Sequence, residues 1–548
     1  MMKILLVALN SKFIHTTPSV YLLKENTEGF NISVYESNVN TDINKIYAEI
    51  KGFNADLVCF SCYIYNIMSV IILCKMLKSD DVEIVLGGPE VSFLNKAPPY
   101  ADYVICGEGE EVFKEFLEAY SDGKKLKKIY GAKLVAVLDN LKTIYNKANL
   151  KAFSNKIIYY ESSRGCPYKC SYCLSSRGCG VRYYGIERVK KDLIFLIENN
   201  VKQVKFVDRT FNCDARRSYG IFEFLIKKCA DKDINFHFEC AGDLFDGRTL
   251  NLLKTAPKGL FQFEIGIQSC NEKTLEAIDR KTNIERLFNN LKTLLGFANI
   301  HIHADLIAGL PYEGLELFKE SFNKAFGLFS DNLQLGFLKL LKGTKIRKEA
   351  KKYGYRYKKL PPYEVICNSV LSESDIKIIK KVEKALNVFY NKGKFLNGLK
   401  LLYGAEAIIY EPPRACGAAL RRGEFAFQLK TDNCQLITFF DLFVSLYDAA
   451  TRKNQNEIMT ALYEFMLERG INKILAKESL KLDYFALRKG FSHPTFMKKG
   501  LTVKPLENNR FSVSFEYNFE KNAFEDCVYV FDYNDYDKVK NSYNYKIK

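Results

Sequence analysis

Three cysteines stand together in Ser163-Arg164-Gly165-Cys166-Pro167-Tyr168-Lys169-Cys170-Ser171-Tyr172-Cys173. Their spacing, C-x3-C-x2-C, lets three thiolates on one loop turn toward a common centre. Iron–sulfur clusters are held by cysteine thiolates, usually four. Three leave one iron without a protein ligand, open to a small molecule, much as a catalytic zinc keeps an open position. Gly165 and Pro167 suit a tight loop. Zinc is the competing reading. It needs a fourth ligand, for which Cys179 is at hand, but Arg177-Gly178 and the setting after a strand weigh against it. The other cysteines are scattered singly and read as small buried hydrophobes.

The loop follows an apolar run at 157–161. Further strand signals lie at 203–207, 235–239, 261–266, 302–307 and 333–338, separated by helical patterns such as 186–198 and 217–229. Six βα units predict a partial barrel over 150–350 with its chemistry at the carboxyl ends of the strands. Ahead of it, runs at 3–9, 32–35, 56–61, 82–86 and 103–106 alternate with helical stretches at 40–50, 66–77 and 110–120. That pattern predicts an open, Rossmann-like parallel sheet over 1–145, covered on both faces. Ligands of such sheets sit outside the carboxyl ends of the strands. The candidate ligand loops are therefore 10–18, the stretch after Ser61, Gly87-Gly88-Pro89-Glu90 and Gly107-Glu108-Gly109-Glu110. Residues 121–150 read as a linker. The fold class is α/β, with a mixed or mainly helical third domain over 355–548 that carries aromatic-rich strands near 511–517 and 527–533.

With Tyr172 before the last cysteine, the triplet resembles the C-x3-C-x-aromatic-C motif of the radical S-adenosylmethionine enzymes. The resemblance implies a 4Fe–4S cluster on Cys166, Cys170 and Cys173, whose free iron binds the amino and carboxylate groups of S-adenosylmethionine. One electron then cleaves that cofactor to a 5′-deoxyadenosyl radical. The resemblance carries further residues in the family's order. Asp208, in Val207-Asp208-Arg209-Thr210, stands where the methionine amino group is contacted, although the usual Gly-Gly-Glu is absent. Glu239 stands at the ribose position. Gln268, Ser269 and Arg280 resemble the fourth-strand segment, and Ile307, in Asp305-Leu306-Ile307-Ala308-Gly309-Leu310-Pro311, resembles the segment beside the adenine.

A parallel sheet ahead of such a barrel resembles the cobalamin-binding subgroup. The resemblance implies that Asn10, Ser11, Ser61, Gly87, Gly88, Pro89, Gly107 and Glu108 face the corrin, with glycines allowing close backbone approach. The Asp-x-His-x-x-Gly motif that puts histidine on cobalt is absent. His15 lies in the first loop without the aspartate.

The net charge of +17 is uneven: residues 1–150 carry 16 basic and 18 acidic side chains, so the remainder carries +19. A basic surface suits an anionic partner or a solvated face, and no compact arginine-rich patch marks a nucleic-acid site. Arg414-Ala415-Cys416-Gly417 and Arg421-Arg422 are candidates for holding an anionic substrate. The apolar start, Met1 to Leu9, lacks a cleavage site and reads as a buried strand. No apolar run spans a bilayer, so a cytosolic protein is expected.

The sequence reading is an enzyme using S-adenosylmethionine and cobalamin for methylation or a radical rearrangement of an unknown small molecule, with a flavodoxin or ferredoxin as electron donor. Two other readings stand beside it. One is a transfer-RNA modifier of the methylthiolating kind, although Cys59, Cys62, Cys74 and Cys106 do not match its second cysteine triplet. The other is a non-catalytic cobalamin or redox sensor.

Overall fold

The computed structural model describes residues 2–547 except 179, 393–394, 408–437, 453, 488–492, 538 and 541. Cys179, Arg414, Cys416, Arg421 and Arg422 lie outside the described residues.

The first sheet is parallel throughout. Its strands are β1 (Lys3–Asn10), β2 (Asn31–Asn38), β3 (Leu57–Ser61), β4 (Glu83–Gly87), β5 (Tyr103–Ile105) and β6 (Ile129–Tyr130). They run in the order β2-β1-β3-β4-β5-β6. The order reverses between β1 and β3, the switch point at which such sheets bind ligands. β1 is apolar on both sides. Ile4, Leu6 and Ala8 join Val20, Phe113 and Phe116 of helices Pro18–Glu25 and Glu110–Ser121. Leu5, Val7 and Leu9 join Ile46, Ile50, Val70 and Leu73 of helices Ile43–Gly52 and Ile67–Lys78. The segment read as a linker is built in: it supplies β6 at the sheet edge and helix Lys147–Ala152. Short apolar pairs such as Ile129–Tyr130 carry too little periodicity to announce an edge strand.

The second sheet is the expected partial barrel. β7 (Ile158–Tyr160) leads into a small antiparallel ribbon of β8 (Ser163–Gly165) and β9 (Val181–Tyr183). Then come β10 (Gln203–Phe206), β11 (Asn235–Cys240), β12 (Phe261–Gln268), β13 (His301–Ala308) and β14 (Asn332–Phe337). The order is β14-β13-β12-β11-β10-β7, so the first and last strands are opposite edges and the wall stays open between them. Alternate residues divide the work. Phe206, Phe238, Phe261 and Phe263 point outward and pack with Phe211 and Phe222. The concave positions are largely polar, with Gly266 and Ile307 among them.

The third region begins with the ribbon of β15 (Arg356–Tyr357) and β16 (Val365–Cys367). Helices such as Glu373–Leu386, Gln455–Glu468 and Lys473–Leu487 follow, and the chain closes in an antiparallel meander. That meander runs through β17 (Val503–Leu506), β18 (Arg510–Phe515), β19 (Cys527–Asp537) and β20 (Ser542–Ile547). The aromatic-rich strands are therefore where the pattern puts them. The region shares its core with the barrel: Phe322 and Phe326 of barrel helix Leu315–Phe326 meet Phe440 and Phe443 edge-on.

Candidate active site

The cysteine loop joins β8 to β9. Cys170 is buried, while Cys166 and Cys173 are partly exposed. The Cys173 amide donates to the Cys170 carbonyl at 3.1 Å, and Cys166 Sγ lies 3.5 Å from Thr210 Oγ1 on the loop after β10. The Ser171 amide donates to the Ile278 carbonyl at 2.8 Å, and the Ser171 carbonyl accepts from the Ile346 amide at 3.0 Å. Arg280 donates to the Gly266 carbonyl at 2.5 Å, and its charge acts on the Cys170 and Tyr172 side chains. Burial pushes the Cys170 thiol up, and the Arg280 guanidinium pulls it down. Among the described residues no three His, Cys, Asp or Glu side chains already stand at metal-holding distances. Three thiols on one loop beside a cation fit the donor set that an anionic iron–sulfur cluster with one open iron would need.

Of the residues assigned to S-adenosylmethionine, the structure separates two kinds. Glu239 and Ile307 are partly exposed on the concave face of the barrel, and Gln268, at φ 68°, keeps a buried Oε1 without a partner. Asp208 and Ser269 are committed elsewhere. Asp208 is buried and accepts from the Ser162 amide (2.9 Å), Ser162 Oγ (2.6 Å) and Ser163 Oγ (2.5 Å), so it fixes the approach to the cysteine loop. Burial pushes its carboxyl up, and these donors hold it down. Ser269 is fully buried and donates to Glu313 Oε1 at 2.6 Å. The turn after β13 is held by residues the sequence reading missed: Tyr355 Oη donates to the Gly309 carbonyl at 2.9 Å, and Asn368 Nδ2 reaches the same oxygen at 3.3 Å.

Between the carboxyl ends of β1 and β3 and the ends of β7 and β10 lies a cavity of about 410 Å³. Ser11, Thr17, Tyr63, Tyr65, Glu110 and Tyr159 are among its walls. Ser11 is the one residue of the cobalamin assignment that lines it. Asn10 is buried behind it, accepting from Thr17 Oγ1 at 2.6 Å and donating to Glu36 at 3.0 Å. The Ser61 carbonyl accepts from Asn66 at 2.9 Å. The glycines serve the chain itself: a Cβ on Gly88 would stand 2.7 Å from the Cys62 carbonyl oxygen, and one on Gly107 2.5 Å from Ala132 Cβ. Gly87 and Pro89 flank that contact off the cavity. Tyr63 and Tyr65, stacked at 5.4 Å, are the signal missed, a Tyr-x-Tyr just past β3. Glu110 is buried and its Oε2 has no hydrogen-bond partner, an orphan acceptor that an amide-bearing ligand such as a corrin would satisfy. His15 bonds Tyr159 Oη through Nδ1 at 2.6 Å, across the seam between the two sheets.

One arginine ties that seam. Arg164, two residues before Cys166, pairs with Glu161 (2.9 Å), Glu108 (3.3 Å) and Glu110 (2.6 Å). Arg182 of β9 also pairs with Glu108. The loop after β5 and the cysteine loop are therefore fixed to one another by charge-assisted bonds. Cys59, Cys62, Cys74 and Cys106 are all buried in the first sheet's core, and burial pushes each thiol up.

Residues 160–325 match the Radical SAM superfamily, 4–117 the B12 binding domain, and 351–408 a family described as a protein of unknown function. An uncharacterized methyltransferase of Pyrococcus horikoshii is 28% identical over 56% of this chain and 71% of its own length. The cobalamin-dependent radical SAM methyltransferase TokK of Streptomyces tokunonensis is 26% identical over 48% of this chain and 44% of its own. The chain thus spans less than half of that second relative. In fold it is similar to the cobalamin-dependent S-adenosylmethionine radical enzyme OxsB, solved with aqua-cobalamin and S-adenosylmethionine bound. That match has a TM-score of 0.57 at 12% identity and covers 88% of this chain and 79% of that one. With the cysteine loop set against a B12-type sheet, the chain carries a radical SAM domain behind a B12-binding domain.

Proposed function

We propose that this enzyme transfers a methyl group to a carbon of a small molecule. The observation that carries the reading is the seam: Arg164 locks the cysteine loop onto the loop after β5, so the 410 Å³ cavity and the cluster loop share one wall. Cys166, Cys170 and Cys173 would hold the cluster. Ser11, Tyr63, Tyr65 and Glu110 would meet cobalamin, and Glu239, Gln268 and Ile307 would meet S-adenosylmethionine. Together these groups supply a carbon-centred radical for hydrogen abstraction and a methyl group for transfer.

The chain's own residues position and shield. Asp208 and the Ser162–Ser163 pair hold the loop's approach. Arg280 offsets the negative charge that three thiolates would bring. Tyr63 and Tyr65 offer flat apolar surface with hydroxyl rims. A one-electron donor of the flavodoxin or ferredoxin type would complete the cycle. No helix among the described residues is long and apolar enough to cross a membrane.

The test is anaerobic purification from cells supplied with cobalamin, followed by iron, sulfide and cobalt assays. About four irons and about one cobalt per chain are expected. Reduced enzyme given S-adenosylmethionine and a metabolite extract should form 5′-deoxyadenosine and S-adenosylhomocysteine in equal amounts. Iron without cobalt after reconstitution, or 5′-deoxyadenosine without S-adenosylhomocysteine, would remove methylation and leave a radical enzyme of another kind.

A further inference from the structure

The concave face of the second sheet is polar along its depth. β12 reads Phe-Gln-Phe-Glu-Ile-Gly-Ile-Gln and β13 His-Ile-His-Ala-Asp-Leu-Ile-Ala; the apolar members are buried except Ile307, and the polar ones are only partly so. Parallel strands buried on both faces read as continuous apolar runs. Here the register puts Glu239 beside Glu264, Glu264 beside His303, and Asp305 beside Gln334.

The charges on this face do not balance. Lys205 is the sole lysine or arginine at its strand positions, and it is spent on Glu264 at 3.2 Å. Glu264 also meets His237 Nε2 at 3.1 Å, and these partners hold it near 2. His303 is pushed down to about 3 and His237 is lowered, both chiefly by burial, so neither is a cation at neutral pH. Glu239 and Asp305 remain. Among the described residues neither has an ion-pair or hydrogen-bond partner, and Asp305 Oδ1 is buried without one; burial and the neighbouring Glu264 and Glu239 push the Asp305 carboxyl well up, while Lys205 and Arg280 draw it down without bonding it. Arg280 donates to the Gly266 carbonyl and draws on Asp305 without bonding it, and Arg209, on the exposed loop beyond β10, draws on Glu239 without pairing with it. A buried carboxylate left unpaired is costly, and a bound cation removes the cost.

We propose that the concave face seats a protonated amine of the substrate against Asp305. The inference rests on the reading above, that the enzyme acts on a small molecule, and narrows it to an amine-bearing one. S-adenosylmethionine also carries an ammonium group, so the test separates the two sources.

The full-length enzyme, reconstituted and with its cluster oxidised, is titrated calorimetrically in the presence of S-adenosylmethionine. The probes are 1,5-diaminopentane, 1,5-pentanediol and glutarate. The diamine should bind at least about tenfold more tightly than the other two, and Asp305→Asn should erase that preference. Gln334→Lys places a cation opposite Asp305 in register and should erase it too; this variant decides the matter if Asp305→Asn does not fold. Affinity for S-adenosylmethionine, measured by calorimetry and by its effect on the reduced cluster's EPR signal, should stay within about twofold in both. No diamine binding at millimolar concentration, or equal binding of diol or glutarate, overturns the proposal. So does an Asp305→Asn enzyme that loses S-adenosylmethionine affinity in step with the diamine, because the carboxylate then serves the cofactor's own ammonium. A wild-type enzyme without iron or cobalt would instead count against the methylation reading, before any probe is added.

Discussion

The two parallel sheets of this chain are built by the same βα grammar and put to opposite uses. In the first, β1 runs Ile-Leu-Leu-Val-Ala-Leu with every one of these residues buried, and helices cover both faces. In the second, β12 and β13 alternate strictly, and only the outward face is packed. A ligand of the first sheet has room only at the strand ends. The second sheet keeps partly exposed polar side chains on its concave side. The difference teaches that apolar-versus-polar alternation in a parallel strand marks a ligand face, because folding alone would favour filling it.

If the concave side and its rim carry chemistry while the first sheet carries stability, substitutions should divide accordingly. The largest effect expected is from Cys166→Ala: iron per purified chain should fall to background and 5′-deoxyadenosine formation should become undetectable. The thermal midpoint of the cluster-free protein should shift by only a few degrees. Next is Arg164→Gln at the seam. It leaves Glu108, Glu110 and Glu161 around an uncharged side chain, and removing one partner of a buried ionic group costs about 3–5 kcal/mol. Urea unfolding should show that loss, and limited proteolysis should open the 121–150 segment. An unchanged urea midpoint would mean the two halves are held by packing alone. A matched pair then tests the comparison itself. Leu6→Ala, in the doubly buried strand, should cost about 3 kcal/mol. Gln262→Ala, on the concave face, should stay within about 0.5 kcal/mol. Equal costs would abolish the distinction between the sheets.

Much of this was legible in the sequence for definite reasons. Apolar runs marked the first sheet, strand signals separated by helical patterns marked the barrel, and the cysteine spacing singled out the loop between β8 and β9. What escaped depends on partners far away in the chain. Asp208 at a strand end reads equally as a cofactor contact or a loop anchor; the decision lies with Ser162 and Ser163, 46 and 45 residues upstream. Glu108 read as a corrin neighbour, but it faces Arg164 and Arg182, 56 and 74 residues on. Glycines at 88 and 107 signalled close approach correctly; what approaches is the chain itself. Tyr355 and Asn368, which hold the turn after β13, come from the region whose family has no described function. No local pattern could have joined them to Gly309.

An effect that shows only as pH rises tests Ser269, a residue that the family resemblance gave to the cofactor and the fold gave to the core. Its hydroxyl and that of Ser321 both donate to Oε1 of Glu313, while Oε2 is buried without a partner. Burial pushes the Glu313 carboxyl up to about 7. A raised carboxyl means that, between its ordinary value near 4.5 and about 7, the folded state holds a proton that the unfolded state has released. Stability from this group is therefore full at acid pH, falls as pH rises through that window, and is level above it. The slope should be about 1 kcal/mol per pH unit at its steepest. Glu313→Gln cannot ionise and keeps an acceptor for both serines. Its urea midpoint should match wild type near pH 4.5 and exceed it near pH 8. A slope that survives the substitution would place the titrating group elsewhere. A variant weaker at every pH would show that the carboxylate, ionised, is what Ser269 is held by.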